Sequence, residues 1–91
     1  MEQTGKQAIF RGRVQGVGFR YTACRIAEKY ELTGVVRNRP DGTVEALMQG
    51  REQDIAMCIE EIKDHFGHYI REMTLTEVAV NPRYTDFQIT Y

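Results

Sequence analysis

Residues 14–20 read VQGVGFR, a nearly neutral stretch with two glycines, Gly16 and Gly18, and a single charge, Arg20. Glycine allows the backbone to adopt positive φ and lets a ligand come close to main-chain N–H groups. A glycine-rich turn that leads from a strand into a helix can therefore bind an anion. The alternative interpretation is a tight turn with a solvated arginine, because short glycine patterns also occur by chance.

Asn38 is the second residue at which chemistry is expected. It alternates with the apolar Val36, so its side chain should point to the same covered face of a strand. An amide left unpaired on such a face costs about 1 to 3 kcal/mol. Asn38 is therefore either paired with the protein or kept for a ligand. On the pattern alone structural pairing is favoured, because buried polar groups usually find partners in their own surroundings.

The elements that must position these residues follow from the apolar periodicity. It predicts helices at residues 19–32 and 52–66 and strands at residues 8–14, 34–40, 43–49, 75–80 and 87–91. Gly34 and Gly67 should mark the ends of the two helices, and Pro40-Asp41-Gly42 should form a hairpin turn. The order is β, α, β, β, α, β with a short extra strand at the end of the sequence. This order fits a ferredoxin-like α/β sandwich, an antiparallel sheet with both helices on one face.

That topology brings the glycine loop and Asn38 to one edge of the sheet. Right-handed crossovers make the first two strands parallel, with another strand between them. Their C-terminal ends, which carry residues 15–20 and Asn38, should then lie about 9 to 10 Å apart, two strand spacings. An extended arginine side chain and a small ligand can bridge that distance, so we expect one shared site.

Composition limits the classes of partner and compartment. With 91 residues, we expect one domain over residues 1–91. The 12 basic and 13 acidic residues form no basic tract, which argues against bulk nucleic-acid binding.

The apolar runs are too short to span a bilayer and MEQTGKQ lacks the apolar stretch of a signal peptide, so we expect a cytoplasmic protein. Cys24 and Cys58 lack CxxC spacing and are predicted to be inert, unpaired thiols.

Two longer blocks carry a resemblance to a known family. GRVQGVGFR at residues 12–20, followed by GVVRNRPDGTVEALMQG at residues 34–50, resembles the two signature blocks of the acylphosphatases. The resemblance implies a small α/β-sandwich hydrolase that cleaves acyl phosphates to a carboxylate and phosphate. It also implies that Arg20 binds the phosphoryl group and that Asn38 orients the attacking water. The amides that cradle the phosphate oxygens would be those of the loop: Gln15, Gly16, Val17, Gly18, Phe19 and Arg20. The resemblance implies no metal or organic cofactor, and we expect a monomer.

The chemistry of acyl phosphates agrees with this small set of residues. The leaving carboxylate has a conjugate acid with a pKa of about 4, so it needs no proton at pH 7. Phosphoryl transfer mainly requires positioning and compensation of charge on the phosphoryl oxygens, which a guanidinium and backbone amides supply. Asn38 is not a strong base, and the substrate's own phosphate oxygen is a candidate acceptor for the proton of the water.

Two alternative interpretations compete with that of a phosphate-binding hydrolase. His65 and His68 are spaced for a metal pair, but Gly67 between them favours solvated rings at a helix end. The scaffold also suits an RNA-binding or anion-sensing module. RNA-binding modules of this topology need aromatic residues on the open sheet face, where this chain has Ile9 and Leu47. The same face should otherwise carry solvated charges: Arg11, Arg13, Arg37 and Arg39, with Glu45 as an acidic partner.

Overall fold

A computed structural model describes residues 2–91. The two helices are α1 (Phe19–Lys29) and α2 (Glu52–Phe66), and a 3₁₀ turn (Gly67–Tyr69) follows α2. The five strands are β1 (Thr4–Gly12), β2 (Thr33–Asn38), β3 (Val44–Gly50), β4 (Ile70–Val78) and β5 (Phe87–Thr90). Their order along the chain is the predicted one.

The strands form one sheet in the order β4-β1-β3-β2-β5. β3 pairs antiparallel with both β1 and β2, so β1 and β2 are parallel with one strand between them, as predicted. β5 pairs parallel with β2 at the sheet edge, so the sheet is mixed rather than wholly antiparallel. The prediction of an antiparallel sheet was therefore wrong for β5, because periodicity identifies a strand but does not give its neighbour. The predicted ferredoxin-like α/β sandwich is confirmed.

Both helices pack on one face of the sheet, and their apolar residues form the core with those of the strands. An aromatic group in this core determines where α1 begins. The Phe19 ring lies 4.9 Å from the ring of Phe10 on β1 and 4.5 Å from that of Phe66 on α2, centroid to centroid. Because Phe19 is buried, the start of α1 is fixed to the core directly beside Arg20.

The predicted end of α1 was wrong. The helix ends at Lys29, and Glu31 adopts a left-handed φ of 58°. Leu32 completes the periodic pattern because it is buried in the core, although it is no longer helical. Gly34 does not end the helix but lies within β2, where a Cβ would stand 1.8 Å from the carbonyl oxygen of Leu47. Glycine is required there by the close approach of β3.

Two strands begin earlier than their side chains indicated. β1 begins at Thr4 rather than residue 8, and β4 at Ile70 rather than residue 75. The first residues of β1 are polar or glycine, and β4 is an edge strand whose side chains are largely exposed. Neither segment alternates clearly between apolar and polar residues, so backbone pairing alone defines it. Among residues 2–91, no helix is long and apolar enough to cross a membrane.

Glu45 is a buried carboxylate on the sheet face that the helices leave open. Its side chain is 9% exposed, and it accepts hydrogen bonds of 2.6 Å from Arg37 Nε and of 2.6 Å from Gln7 Nε2. Burial raises the pKa of this carboxyl, but the hydrogen bonds from Arg37 and Gln7 outweigh it, and the net pKa is lowered. The predicted partnership of the open-face arginines with Glu45 is thus confirmed for Arg37.

This lowered pKa makes stability depend on pH. The folded-state pKa lies below the unfolded one, so the stabilisation is complete above the ordinary value of 4.5 and is lost as the pH falls through the folded value. We expect Glu45→Gln to lower the free energy of unfolding at pH 7 by about 1 to 3 kcal/mol. Urea melts should also show a weaker loss of stability below pH 4.5 than in the wild type. The exposed Glu72→Gln on β4 is the control; equal acid dependence in the wild type and Glu45→Gln would refute the assignment.

Candidate active site

The loop between β1 and α1 has the backbone that its glycines suggested. Gly16 and Gly18 adopt left-handed φ values of 78° and 77°. A Cβ built on either residue would meet no described atom within 4 Å, so the space above both glycines is open. The loop therefore needs glycine for its conformation, and a ligand can approach its backbone.

The N-terminus of α1 adds backbone donors to this loop. Gly18 is the N-cap residue of the helix and provides no side-chain hydrogen bond, and the first turn carries no acidic residue. The first amides of a helix have no partner within the helix, and the helix dipole favours negative charge beside them. Residues 16–20 thus combine an open glycine backbone with uncapped helix amides, an arrangement suited to a tetrahedral anion.

Arg20 lies in the first turn of α1, and its guanidinium contacts the residues at the end of β5. Its Nη1 donates a hydrogen bond of 3.4 Å to the carbonyl oxygen of Thr90. The guanidinium carbon lies 4.7 Å from the centroid of the Tyr91 ring. The side chain is half-buried. These contacts use one face and one nitrogen of the guanidinium, which leaves other N–H groups of the fork for a ligand.

Asn38 is the last residue of β2 and lies on the helix-covered face, as its alternation with Val36 predicted. Its Oδ1 is buried and accepts no hydrogen bond from any residue of the described chain. The structural pairing that the pattern alone favoured is therefore absent for this oxygen. A buried carbonyl without a donor costs about 1 to 3 kcal/mol, so Asn38 is held in a position that stability does not favour.

Hydrogen bonds connect the turn after Asn38 to the glycine loop. Gln15 Nε2 donates hydrogen bonds of 2.8 Å to the carbonyl oxygens of both Arg39 and Thr43. Asp41 Oδ1 accepts from the Thr43 backbone at 3.0 Å and from its hydroxyl at 2.6 Å, which closes the β2–β3 turn. Gln15 thereby links the loop to the end of β2 that carries Asn38.

The loop, Arg20 and Asn38 line one cavity of about 280 Å³. The predicted residues that line it are Gly16, Gly18, Phe19, Arg20 and Asn38. Gln15 and Val17 do not line it: the Gln15 side chain is bonded to the β2–β3 turn and Val17 packs against the core. For these two residues only the backbone amide remains a candidate. Sequence reasoning missed Tyr21, Ile89 and Tyr91, which also line the cavity.

The histidines and cysteines lie outside this cavity. The His65 and His68 rings pack edge-on against the neighbouring rings of Phe66 and Tyr69, at 4.7 and 5.1 Å. In the part of the chain that the structure describes, no group of three or more metal-ligating side chains is assembled. Both cysteines are free thiols. Burial raises the pKa of the Cys58 thiol to about 12 and also raises that of Cys24, so both thiols stay protonated near pH 7.

A substitution at Gly16 tests whether the open backbone of the loop binds phosphate. We expect Gly16→Val to weaken the affinity for inorganic phosphate at least tenfold, because a β-branched side chain opposes positive φ and occupies the open space above the loop. Isothermal titration with phosphate measures this. Gly67→Val is the matched control, since Gly67 also has positive φ and open space but does not line the cavity. Equal phosphate affinity in both variants would mean that the loop is only a turn.

The fold and this cavity define a small α/β-sandwich protein with a glycine loop and an arginine at the start of its first helix. The chain matches the family model described as acylphosphatase over residues 6–89. It therefore belongs to the acylphosphatase family.

Similar proteins cover nearly the whole chain. An acylphosphatase of Picrophilus torridus is 45% identical over 83 residues, which cover 91% of this chain and 98% of that protein. One of Rhodopseudomonas palustris is 49% identical over 88 residues, 92% of this chain and 89% of that protein. The crystal structure of the acylphosphatase from Bacillus subtilis has 37% sequence identity and a TM-score of 0.88, and the match covers 97% of this chain and 99% of that one.

This membership confirms the resemblance carried by residues 12–20 and 34–50. The protein is an enzyme that hydrolyses acyl phosphates to a carboxylate and inorganic phosphate. The RNA-binding alternative is not favoured, and Ile9 on the open face is 7% exposed rather than available for base stacking.

Proposed function

We propose that the phosphoryl group of the substrate binds to Arg20 and to the backbone amides of residues 15–20, and that Asn38 orients the water that attacks it. One observation carries this proposal: the unpartnered, buried Oδ1 of Asn38 belongs to the same cavity as Arg20 and the glycine loop. Because Oδ1 accepts no hydrogen bond from the protein, it is free to accept one from a water molecule in the cavity. The loop amides and the guanidinium suit the phosphoryl oxygens.

In this arrangement each group has one task. The guanidinium and amides hold the phosphoryl group and offset the charge that develops on its oxygens in a loose transition state. Asn38 accepts a hydrogen bond from the water, so that an oxygen lone pair of the water points at phosphorus. The new phosphorus–oxygen bond forms as the bond to the acyl oxygen breaks, and the bonding pair leaves with the carboxylate. That carboxylate needs no general acid, because its conjugate acid has a pKa of about 4.

The proton of the water requires an acceptor. The side chains that line the cavity include no carboxylate or imidazole among the described residues. We therefore assign the proton to an oxygen of the phosphoryl group itself, which becomes part of the phosphate product. Catalysis then rests on positioning and electrostatics rather than on a protein base.

We also propose that the reaction needs no metal or organic cofactor. The cavity offers N–H donors from Arg20 and the loop, which bind anions, and its other polar side chains are the neutral ones of Asn38, Tyr21 and Tyr91. Divalent cations prefer several oxygen or nitrogen ligands with lone pairs, so this donor set suits the phosphoryl group directly.

We propose one domain over residues 1–91, acting as a monomer in the cytoplasm without binding nucleic acid. The two free thiols are typical of a reducing compartment. All the residues assigned to the site come from one chain, so a second copy is not needed to complete it.

Steady-state kinetics with benzoyl phosphate test the proposed site. We expect repeated turnover in the presence of EDTA and competitive inhibition by inorganic phosphate or sulfate, because a tetrahedral anion occupies the same donors as the phosphoryl group. Loss of activity on chelation, restored by zinc or magnesium, would contradict the metal-free mechanism. Binding of phosphate without turnover would instead indicate an anion sensor.

A further inference from the structure

The active-site cavity shares lining residues with a second, wider space. Tyr21 and Ile89 line the cavity of about 280 Å³ and also a groove of about 1010 Å³ beside α1. Any part of a ligand that extends from the cavity past these two residues enters the groove. In the proposed site the phosphoryl group is bound by Arg20 and the loop, so the acyl group is the part of the substrate that can extend toward Tyr21 and Ile89.

Tyr21 is a large aromatic residue held in place at the mouth of the cavity. It follows Arg20 directly and is 60% exposed. Its hydroxyl accepts a hydrogen bond of 3.0 Å from Arg25 Nη1, one helical turn further along α1. The Arg25 guanidinium carbon also lies 5.7 Å from the centroid of the Tyr21 ring. These contacts place the ring beside Arg25, and most of its surface stays exposed to a ligand.

The groove beside Tyr21 has an apolar lining on the side of β5. Cys24 lies on this side and donates a weak hydrogen bond of 3.5 Å from Sγ to the Phe87 carbonyl oxygen. Ile89 of β5 is half-buried against the core and continues the same surface. An aromatic ring and an aliphatic side chain that line the same two spaces suit a planar or branched hydrocarbon group.

We propose that Tyr21 and Ile89 form a subsite for the acyl group of the substrate, and that Tyr21 gives the enzyme a preference for acyl phosphates with an aromatic or similarly large apolar acyl group over acetyl phosphate. The inference rests on the proposed binding of the phosphoryl group at Arg20, because that placement directs the acyl group to the mouth of the cavity. Tyr21 is in this view a specificity-determining residue and takes no part in the bond changes.

The test compares two substrates in wild type and Tyr21→Ala. We expect kcat/KM for benzoyl phosphate to fall about tenfold and that for acetyl phosphate less than threefold, because only the larger acyl group loses a contact with the ring. The intrinsic reactivity of each substrate cancels when the same substrate is compared in two variants. The inhibition constant of inorganic phosphate should stay within about twofold, because phosphate does not reach the acyl subsite.

Two further variants distinguish the contribution of the Tyr21 ring from that of its hydroxyl and from the general effect of removing an exposed apolar side chain. Tyr21→Phe keeps the ring but loses the hydrogen bond from Arg25, and it should keep the preference for benzoyl phosphate within about twofold. Met57→Ala removes an exposed apolar side chain of α2 that lines neither space, and it should leave both substrates unchanged. An unchanged ratio of the two substrates in Tyr21→Ala would overturn the proposal. An equal loss for both substrates together with weaker phosphate inhibition would also overturn it, because Tyr21 would then support the Arg20 loop.

Binding of unreactive analogues separates failure of this inference from failure of the proposed function. Phenacylphosphonate and acetonylphosphonate carry a methylene in place of the bridging oxygen, so their affinities are measured without turnover. We expect the wild type to bind phenacylphosphonate more tightly, and Tyr21→Ala to lose most of that difference. If the substrates are not hydrolysed but this difference is found, the subsite stands and the proposed mechanism fails. If both analogues bind equally to the wild type, the subsite is refuted.

Discussion

Arg20→Gln is expected to abolish both turnover and the binding of inorganic phosphate. Arg20 is the only charged residue in residues 14–20, and its guanidinium lies in the same cavity as the open glycine backbone. Glutamine keeps much of the length of the side chain but offers one neutral NH₂ group instead of a charged fork of donors. Phosphate titration and benzoyl phosphate kinetics on the same preparation measure the two losses.

Arg20→Lys should recover little of either property. An ammonium is a point charge and does not reproduce the two parallel hydrogen bonds of a guanidinium. Arg13→Gln is the matched control, because Arg13 flanks the loop but is exposed and packs 5.6 Å from the Tyr69 ring centroid, outside the cavity. Phosphate affinity in Arg20→Gln equal to that in Arg13→Gln would show that the phosphoryl group binds elsewhere.

Asn38→Ala should differ from Arg20→Gln, with phosphate binding kept and turnover strongly reduced. Phosphate should bind within a few-fold of wild type, because Arg20 and the loop amides remain. The turnover rate constant should fall by a factor of about 100 to 1000, as for the loss of one preorganised hydrogen-bonding group. Single-turnover kinetics with benzoyl phosphate measure the rate of the chemical step separately from product release.

The stability of this variant is as informative as its rate. Since Oδ1 has no partner in the described chain, alanine should leave the free energy of unfolding within about 1 kcal/mol of wild type or raise it. The other asparagine, Asn81, is a natural control because its Oδ1 accepts a hydrogen bond of 3.0 Å from the Arg83 backbone. Asn81→Ala should lose stability and keep turnover. A strongly destabilised Asn38→Ala with near-normal turnover would remove Asn38 from the mechanism.

Much of the site could be predicted from the sequence, because the positions of its residues follow from the order of the strands and helices along the chain. The parallel relation of β1 and β2 follows from the handedness of the crossover, so the glycine loop and Asn38 had to meet at one edge. The positive φ values of Gly16 and Gly18 agree with their place between a strand and a helix. The side-chain direction of Asn38 follows from its alternation with Val36. These features are local or topological, and sequence patterns encode both.

The parts that were missed depend on packing between distant segments. Ile89 and Tyr91 reach the cavity only because β5 pairs parallel to β2, and nothing in the residues of β5 specifies that neighbour. The sequence pattern also did not predict that Asn38 Oδ1 would lack a hydrogen-bond donor. The presence of a donor depends on which groups the folded chain brings near that oxygen. The one available signal was the proximity of Tyr21 to Arg20 in sequence, which places an aromatic side chain one residue from the proposed phosphoryl ligand.

The central claim is that a water molecule attacks the phosphorus atom of a substrate held by Arg20 and the loop. Hydrolysis of benzoyl phosphate in ¹⁸O-labelled water, followed by mass spectrometry of both products, tests it most directly. Attack at phosphorus puts the label into inorganic phosphate and leaves the benzoate unlabelled, and this is the result we expect. Label in the benzoate would mean attack at the carbonyl carbon, which would contradict the roles assigned to both Arg20 and Asn38.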